Sequence, residues 1–447
     1  MISEKFPGIK TSELLKKAKD SESPSINTPY ILPVGIAEGR GATVKDADGN
    51  TYLDLMAGTG VVSVGHCNPM VTEAIRDQAG TLLHTVDMPS PKRVELMQRL
   101  ISIAPRAMKD NSRVLFASMG AEAVEDAVKF SKWCTKKHGI IAFEGAFHGR
   151  TAGALALTGR TSTQEGMSPL MPSVYRMPFA YCYRCPFGLT YPECDVRCAD
   201  YVEHAISNPE GGLAEPAAII VEPVQGSAKV VPPKEYLSKI RKICDKYGLL
   251  LIDDEIQTGF GRTGKMFAIE HSENVTPDFV VLGKGIADGF PIAVVLGKRD
   301  VFEKLHPGQH TSTFGGNALG CAAALATIDF IDKYDLCKRS QELGEYFIGA
   351  LKELQNEINY IGDVRGLGLM IGMELVKDKK TKEPPAWEKL TGPLLSDLAA
   401  NGLLLLIGGP YRNVLRILPP LVITKEQIDA SVQIMRRVMK KYNDAAG

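Results

Sequence analysis

The sequence lacks a net charge, a long apolar run and an apolar segment near its first residue. Lysine plus arginine and aspartate plus glutamate both number 52, so no basic excess favours nucleic acid or an anionic membrane as a partner. The longest apolar runs, such as 217–221 and 403–407, are too short to span a bilayer. The first residues are polar and show no signal-peptide core. We therefore expect a soluble, cytoplasmic protein that binds neither nucleic acid nor a membrane.

A disulfide framework is not indicated either, although the chain has nine cysteines. Their number is odd and most lie among apolar residues, which fits a reducing compartment. Four of them follow the pattern C-x2-C-x8-C-x3-C within the turn-rich loop 179–198, namely Cys182, Cys185, Cys194 and Cys198. This spacing is not among the strong zinc signatures. A bound metal, a thiol cluster and disulfide pairing stay open for this loop, and we assign no metal site.

The middle of the sequence alternates short apolar runs with helix-patterned segments. Candidate strands are 113–118, 139–143, 217–222, 249–253, 278–282 and 292–296. Before the fourth of these, apolar residues recur at helical spacing up to Tyr247, and Gly248 supplies a stop. Strands separated by helices need crossover connections, which predicts a mostly parallel sheet buried on both faces.

With 447 residues, of which 44% are apolar, the chain is expected to divide into more than one domain. Residues 75–331 carry the alternating pattern and are predicted to form a large α/β domain. The two ends, 1–74 and 332–447, are predicted to pack together as a smaller α+β domain. The second end contains strand-like segments at 366–375 and 414–418, and an amphipathic helix from Ile428 to Tyr442.

Two neighbouring candidate strands end on groups suited to one kind of chemistry. Asp253, Asp254 and Glu255 close one strand, and Lys284 follows the next between two glycines. A carboxylate that holds a ring nitrogen and a buried amine that forms a Schiff base are the groups that pyridoxal phosphate chemistry requires. Taken singly, each has an ordinary explanation, since acids and lysines are common at strand ends.

Four further segments carry candidate binding residues. A strand-to-helix turn at Gly120 offers free N–H groups to a phosphate, but it lacks the P-loop Lys-Ser/Thr pair, so nucleotide binding is disfavoured. Phe147 follows another strand and could stack on a ring, while Arg150 beside it could grip a carboxylate. Arg416 lies inside an apolar strand and needs an anionic partner, and Glu222 occupies a similarly apolar position.

Taken together, these segments resemble the class III aminotransferases, a branch of the fold type I pyridoxal phosphate enzymes, from about Tyr30 to the end. Nine motifs occur in the family's order. They are LDLMAGTGVVSVGHCNP (53–69), GAEAVE (120–125), FHGRT (147–151), VEPVQG (221–226), IDDEIQTGFGRTG (252–264), GKGIADGFPI (283–292), HTSTFGGN (310–317), VRGLGLMIGMEL (364–375) and VLRILPPL (414–421). The resemblance implies a seven-stranded, mostly parallel sheet in the large domain.

The resemblance also assigns a role to individual residues. It makes Lys284 the Schiff-base lysine that also moves the proton, and it points to Asp254 rather than Asp253 as the acid on the ring nitrogen. Gln257 would lie near the phenolic oxygen of pyridoxal 5'-phosphate. The cofactor-binding positions it implies are Gly120, Ala121, Phe147, His148, Asp254, Ile256, Gln257, Lys284 and Thr313.

Within that set, backbone groups of Gly120 and Ala121 would hold the phosphate, and Ile256 and Phe147 would lie against the two ring faces. Thr313 would reach the phosphate from a neighbouring subunit. The resemblance therefore implies a homodimer, or a dimer of dimers, with shared active sites.

The resemblance is closest to 4-aminobutyrate aminotransferases. It implies an ω-amino acid as donor and 2-oxoglutarate as acceptor, with Arg416 on the α-carboxylate, Arg150 on the distal one and Glu222 pairing with Arg416 when a substrate lacks the α-carboxylate. The alternative for Arg150 is that it only supports its loop. The alternative functions are an amino-acid racemase or epimerase on the same scaffold, and an aminotransferase for ornithine or another ω-diamine. A non-catalytic relative is disfavoured because Lys284 and Asp254 are both present.

Overall fold

A computed structural model of the chain describes residues 6–26 and 31–443; Tyr30, near which the resemblance begins, lies outside them. The helices of six residues or more in these ranges are, in chain order, α1 (Ile9–Ser21), α2 (Pro69–Ala79), α3 (Pro91–Ile103), α4 (Gly120–Thr135), α5 (Ala152–Leu157), α6 (Arg197–Ser207), α7 (Lys234–Tyr247), α8 (Ala318–Lys333), α9 (Leu336–Glu357), α10 (Gly392–Ala400) and α11 (Lys425–Met439).

The strands in the same ranges are β1 (Ile36–Arg40), β2 (Thr43–Asp46), β3 (Thr51–Asp54), β4 (Ser112–Ala117), β5 (Gly139–Phe143), β6 (Val174–Met177), β7 (Pro216–Val221), β8 (Leu250–Asp254), β9 (Phe279–Leu282), β10 (Ala293–Lys298), β11 (Ile361–Leu367), β12 (Met370–Leu375), β13 (Leu403–Leu404), β14 (Leu406–Gly408) and β15 (Val414–Ile417). Among the described residues, no helix is both long enough and apolar enough to cross a bilayer.

The larger compact unit, Pro69–Lys338, is built on a seven-stranded sheet in the order β4-β10-β9-β8-β7-β5-β6. Only β10 runs against its neighbours β4 and β9; the pairs from β9 to β6 are all parallel. Every residue of β7 is buried, which requires cover on both faces of the sheet. The expected mostly parallel sheet of the fold type I enzymes is confirmed.

The six candidate strands correspond to β4, β5, β7, β8, β9 and β10, with ends that differ by no more than two residues. The predicted helix is α7, and Gly248 ends it in the left-handed region at φ +61°. The sequence reading missed β6, an edge strand of four residues with one exposed position and no continuous apolar run. Such a strand gives no periodic signal, because neither face of it is fully covered.

The smaller unit consists of Met1–Asn68 and Arg339–Gly447. It contains two four-stranded sheets, β1-β2-β3-β13 and β11-β12-β15-β14. The parallel pairing of β3 with β13 joins the two ends of the chain, with Leu53 opposite Leu403. The backbone N–H of Leu418 also donates to the carbonyl of Leu55 at 2.8 Å. Both segments of the unit therefore contribute strands to one compact body.

The division between the units differs from the predicted boundaries at 74/75 and 331/332. It lies between Asn68 and Pro69 and between Lys338 and Arg339. The predicted boundaries fall inside α2 and α8, and these two helices pack extensively on each other. Because neither helix can be divided without exposing that contact, both belong to the larger unit.

Two glycines on exposed backbone provide a matched test of the helix assignments. Gly248→Ala should lower the free energy of unfolding by about 1 kcal/mol, because the left-handed φ strains a residue with a Cβ. Gly349→Ala, within α9, should raise it by roughly 0.5–1 kcal/mol, because alanine favours the helix and a Cβ there meets nothing within 4 Å. Urea midpoints measure both changes, and shifts of the same sign would contradict the assignment.

Candidate active site

Three chain segments converge at the carboxyl edge of the large sheet. A Cβ on Gly120, the first residue of α4, would lie 2.8 Å from Cδ1 of Ile256, which follows β8. A Cβ on Gly283, which follows β9, would lie 3.5 Å from Cγ2 of Ile256 and 3.7 Å from Cα of Gly120. The glycine at position 120 allows this close approach. The ends of β4, β8 and β9 therefore meet where open α/β sheets bind ligands.

Asp254 is held at this edge by two hydrogen bonds. Its Oδ2 lies 2.7 Å from Nδ1 of His148, and its Oδ1 accepts the backbone N–H of Ile256 at 3.1 Å. Both side chains are almost fully buried, at 3% and 2% exposure. Because a carboxylate only accepts, the imidazole donates through Nδ1. His148 Nε2 is buried and has no hydrogen-bond partner among the described residues.

Asp253 occupies a different environment on the same strand. Successive residues of a strand point to opposite faces, so Asp253 and Asp254 face opposite sides of the sheet. Neither carboxyl oxygen of Asp253 has a hydrogen-bond partner in the described part of the chain. Burial, reinforced by Glu255 and Asp254, raises the pKa of Asp253 well above its ordinary range. Burial therefore favours the neutral form of the Asp253 carboxyl, whereas the carboxyl of its neighbour Asp254 is hydrogen-bonded.

Glu255 holds the loop that follows. Its carboxyl accepts from the Thr258 hydroxyl and, at 2.8 Å, from the backbone N–H of Ile269. Burial raises the pKa of Glu255 to about 7, and the hydrogen bonds from Thr258, Ile269 and Ala268 oppose that rise. These contacts tie the segment after β8 to the short helical turn Ala268–His271.

The start of α4 supplies backbone N–H donors that have no partner within the helix. The first N–H groups of a helix have no intrahelical partner, and the N-cap residue Met119 adds no side-chain cap. A Cβ on Gly149 would lie 2.7 Å from the Cβ of Ala121, so the loop after β5 lies against this helix start. Gly120 and Ala121 thus lie beside the loop that carries Phe147 and His148, in a setting suited to an anion.

Glu122 ties a third segment to the helix start. Its carboxylate accepts the backbone N–H of Ser118 at 2.7 Å and the hydroxyl of Ser312 at 2.8 Å. The carbonyl of Thr313 accepts from Nε2 of His84 at 2.7 Å. Thr313 itself is exposed in the single chain. Contacts at both Ser312 and Thr313 therefore hold this segment in place. It contains Thr313, the threonine predicted to reach the phosphate of a neighbouring subunit.

Lys284 directly follows β9 in a short helical turn, Lys284–Ile286, and is partly buried. Its φ of +44° lies in the left-handed region, which is uncommon for a residue with a side chain. Such backbone persists only where the surroundings impose it, and it concentrates at functional sites. The backbone at Lys284 is therefore set by the junction of β9 with the site.

Glu222 and Gln257 are brought together by a lysine that the sequence reading missed. The ammonium of Lys229 donates to Oε1 of Gln257 and to the carbonyl of Gly226, both at 2.5 Å. Glu222 accepts the backbone N–H groups of Phe147 and Gly226 at 2.9 Å, and burial raises its pKa. Nothing in the local pattern SAKVV distinguishes Lys229 from a surface lysine, since only its tertiary contacts reveal it.

The two predicted substrate arginines lie in different units. Arg150 is exposed on the loop after β5, with its guanidinium carbon 5.9 Å from the ring centroid of Phe147. Arg416 is partly buried in β15 of the smaller unit, where it is paired in register with Gly372 and Leu406. Each therefore occupies a defined position on its own unit.

The four clustered cysteines line one small apolar cavity, together with aromatic side chains such as Phe179. All nine cysteines of the chain are free thiols. Burial, with a contribution from Cys182, raises the pKa of Cys198 to about 12. In residues 6–26 and 31–443, no group of three or more histidine, cysteine or acidic side chains is arranged as metal ligands. In this structure the four residues form a cluster of thiols.

Known proteins resemble the chain over nearly its full length. A family model described as aminotransferase class-III matches residues 26–439. The chain is 36% identical to an alanine/serine racemase from Pyrococcus horikoshii, covering 98% of this chain and 92% of that protein. It is 36% identical to a diaminobutyrate–2-oxoglutarate aminotransferase from Rhizobium meliloti (93% and 90%) and 36% identical to a 4-aminobutyrate aminotransferase from Mycobacterium leprae (98% and 97%).

Solved structures of aminotransferases also resemble the chain over nearly its full length. An (S)-enantioselective omega-transaminase from Thermomicrobium roseum superimposes with a TM-score of 0.89 at 32% identity, covering 96% of this chain and 98% of that one. An ornithine aminotransferase from Toxoplasma gondii, described with PLP at partial occupancy in its active site, gives a TM-score of 0.83 at 28% identity (97% and 96%).

The raised pKa of Asp253 predicts that the stability of the fold depends on pH. The folded chain retains a proton on this carboxyl that the unfolded chain releases above about pH 4, so the folded state loses stability as the pH rises, by up to about 1.4 kcal/mol per pH unit. Asp253→Asn removes the titrating carboxyl and with it this loss of stability. Its stability relative to the unmodified chain should therefore increase from about pH 5 to about pH 8, as measured by urea midpoints.

The control is Asp77→Asn, at an exposed position on α2, which should give the same difference at both pH values. If the stability difference between Asp253→Asn and the unmodified chain is also the same at both pH values, the raised pKa of Asp253 is contradicted.

Proposed function

Because the chain belongs to the class III aminotransferases, we propose that it transfers the amino group of an ω-amino acid, 4-aminobutyrate foremost, to 2-oxoglutarate. The products would be the semialdehyde and glutamate. Class III enzymes use pyridoxal 5'-phosphate. The convergence of Asp254, Lys284 and the start of α4 at one sheet edge is the observation that carries the proposal.

The residues at this edge fit that cofactor. Asp254 receives N–H donors on both oxygens and is nearly buried, so its carboxylate suits a protonated ring nitrogen. The N–H groups at Gly120 and Ala121, which have no partner within the helix, suit a phosphate. When bound, the cofactor withdraws electrons from the amino-acid carbon and stabilises the charge left after proton removal. The donor set thus matches the acid and the phosphate ends of the group.

The chain's own residues would divide the remaining work. Lys284 would hold the cofactor through its amine and move the proton between two carbon atoms, as a general base and then an acid. His148 would orient Asp254 through the 2.7 Å hydrogen bond. Ile256 and Phe147 would supply the apolar surfaces on either side of the ring, and Gln257 would donate to the phenolic oxygen of the cofactor.

The assembly we propose is a cytoplasmic homodimer, or a dimer of dimers. Its support is that Thr313 is exposed in the single chain while its backbone carbonyl is held by His84. That arrangement suits a threonine that reaches the phosphate of a neighbouring active site.

Substrate choice would depend on two arginines. We assign the distal carboxylate to Arg150 and the α-carboxylate to Arg416, because a guanidinium binds a carboxylate through two parallel hydrogen bonds. An ω-amino acid such as 4-aminobutyrate has only the distal carboxylate. In that case the resemblance assigns Glu222, whose carboxyl accepts from two backbone N–H groups, as the partner of Arg416.

Racemisation is the second candidate, favoured by the 36% identity to an alanine/serine racemase. A racemase needs the same Lys284 and Asp254, but it returns the proton to Cα from the opposite face and consumes no 2-oxo acid. Ornithine and 2,4-diaminobutyrate are alternative donors, because aminotransferases for ornithine and for diaminobutyrate also resemble the chain.

The test compares these reactions on one purified protein loaded with pyridoxal phosphate. Glutamate is measured from 4-aminobutyrate, ornithine, 2,4-diaminobutyrate, alanine and leucine, each with 2-oxoglutarate. In parallel, loss of Cα deuterium with inversion is measured without any 2-oxo acid. We expect glutamate from 4-aminobutyrate above all, and at least about a 10³-fold loss in Lys284→Ala. Glutamate from none of the ω-amines would contradict the proposal, and inversion without a 2-oxo acid would establish the racemase.

The arginine assignments predict different kinetic effects. Arg150→Ala should raise KM for both 4-aminobutyrate and 2-oxoglutarate by about 10- to 100-fold, because each loses a charge-assisted pair. Arg416→Ala should raise KM for 2-oxoglutarate by a similar factor. The concentration of 4-aminobutyrate that gives half the maximal rate of the first half-reaction should stay nearly unchanged.

The control for both is Arg113→Ala, which removes an exposed ion pair with Glu303 and should change neither constant. If Arg150→Ala behaves like this control, Arg150 only supports its loop.

A further inference from the structure

Lys229 is a fully buried lysine on a loop that no step of the proposed function uses. The loop connects β7 to α7 and is closed by an isolated bridge, in which the backbone N–H of Gln225 donates to the carbonyl of Val230 at 3.0 Å. Lys229 has a φ of +53°, in the left-handed region. A buried ammonium and left-handed backbone both cost free energy, so the surrounding contacts must impose them.

The contacts of Lys229 connect two strand ends of the site. Its ammonium donates to Oε1 of Gln257, beyond β8, and to the carbonyl of Gly226, both at 2.5 Å. The N–H of the same Gly226 donates to Oε1 of Glu222, beyond β7, at 2.9 Å. A Cβ at Gly226 would lie 2.7 Å from Oε1 of Gln257 and 3.0 Å from Oε1 of Glu222. Gln257 and Glu222 therefore pack against Gly226, while Lys229 binds its carbonyl, so a side chain at position 226 would collide with both.

This geometry fixes the orientation of the Gln257 amide. An ammonium has three donors and no acceptor, whereas an amide has an acceptor end and a donor end. Only the amide oxygen can face Lys229, since the reversed amide would bring two donors together at hydrogen-bond distance. The amide nitrogen, with its two N–H groups, is therefore directed away from Lys229.

We propose that Lys229 is a positioning residue of the active site, which holds the Gln257 amide with its donor end toward the bound cofactor and adds a fixed positive charge behind it. The proposal rests on the proposed function, which assigns Gln257 to the ring oxygen. A buried positive charge stabilises negative charge on a nearby oxygen, because little water screens it. Glu222, His148 and Asp254 are the charged or titratable groups that act on each other around this loop.

The test uses the loaded enzyme without substrate. The enzyme is titrated with pyridoxal phosphate to give Kd, and the absorbance spectrum at fixed pH gives the shares of the two protonation forms of the bound cofactor. In Lys229→Met, which keeps most of the length of the side chain but removes the donors and charge, we expect Kd to rise about tenfold. The ratio of the protonated to the deprotonated form should rise at least threefold, because the added proton no longer has a positive charge nearby.

Two comparisons separate positioning from support of the fold. Lys137→Met removes a lysine of the same unit whose ammonium also donates to backbone carbonyls, at Tyr247 and Gly248, and it should leave both readouts unchanged. Gln257→Leu removes the amide that Lys229 orients and leaves only the direct effect of the Lys229 charge. The double variant Lys229→Met/Gln257→Leu should therefore shift the spectrum by less than the sum of the two single shifts.

Two outcomes overturn the inference. One is a folded Lys229→Met enzyme with the spectrum and Kd of the unmodified protein; the other is a pair of shifts that simply add. If Lys229→Met does not fold, Lys229→Gln keeps an N–H donor without the charge, and an unchanged spectrum in it overturns the fixed charge. An unmodified enzyme that shows no cofactor band at all would instead refute the proposed function, so the two failures are distinguishable.

Discussion

The site depends on one buried hydrogen bond, between Asp254 at the end of β8 and His148 on the loop after β5. These strands are separated in the sheet by β7, so the bond spans the position where Glu222 leaves that strand. Glu222 in turn accepts from the backbone of Phe147, beside His148. A carboxylate buried to this degree is tolerated because both of its oxygens are hydrogen-bonded, and the same bonds fix the loop that carries Phe147 and Arg150.

Close backbone packing then sets the distance between the remaining parts. Gly120, Ile256 and Gly283 lie against one another, and Gly149 lies against Ala121, at separations where a Cβ would be too close in two of the contacts. The start of α4, the acid of β8 and the lysine after β9 are consequently positioned by the scaffold and not by flexible side chains. A site that combines segments from several strand ends needs this rigidity if its groups are to meet one small cofactor.

The interior strands were predictable because they are short, apolar and bounded by turn signals, as in β5 and β7. The edge strand β6 was not, since half-covered residues carry no such pattern. The choice of Asp254 over Asp253 came from resemblance and stays a prediction. In the described residues, N–H donors reach both oxygens of Asp254, whereas Asp253 has no hydrogen-bond partner. The helix contact between α2 and α8, which moves the division between the units, joins residues far apart in sequence and left no local signal.

The sequence by itself determined the family, the alternation of strands and helices, and the residue types at the strand ends, because these are local patterns or ordered motifs. Only the tertiary structure decided which of two adjacent aspartates is buried without hydrogen-bond donors among the described residues, since burial and donors depend on neighbours from other segments. It also decided that Lys229 is fully buried against Gln257. A lysine's burial is a property of what folds over it, and no pattern within its own loop encodes that cover.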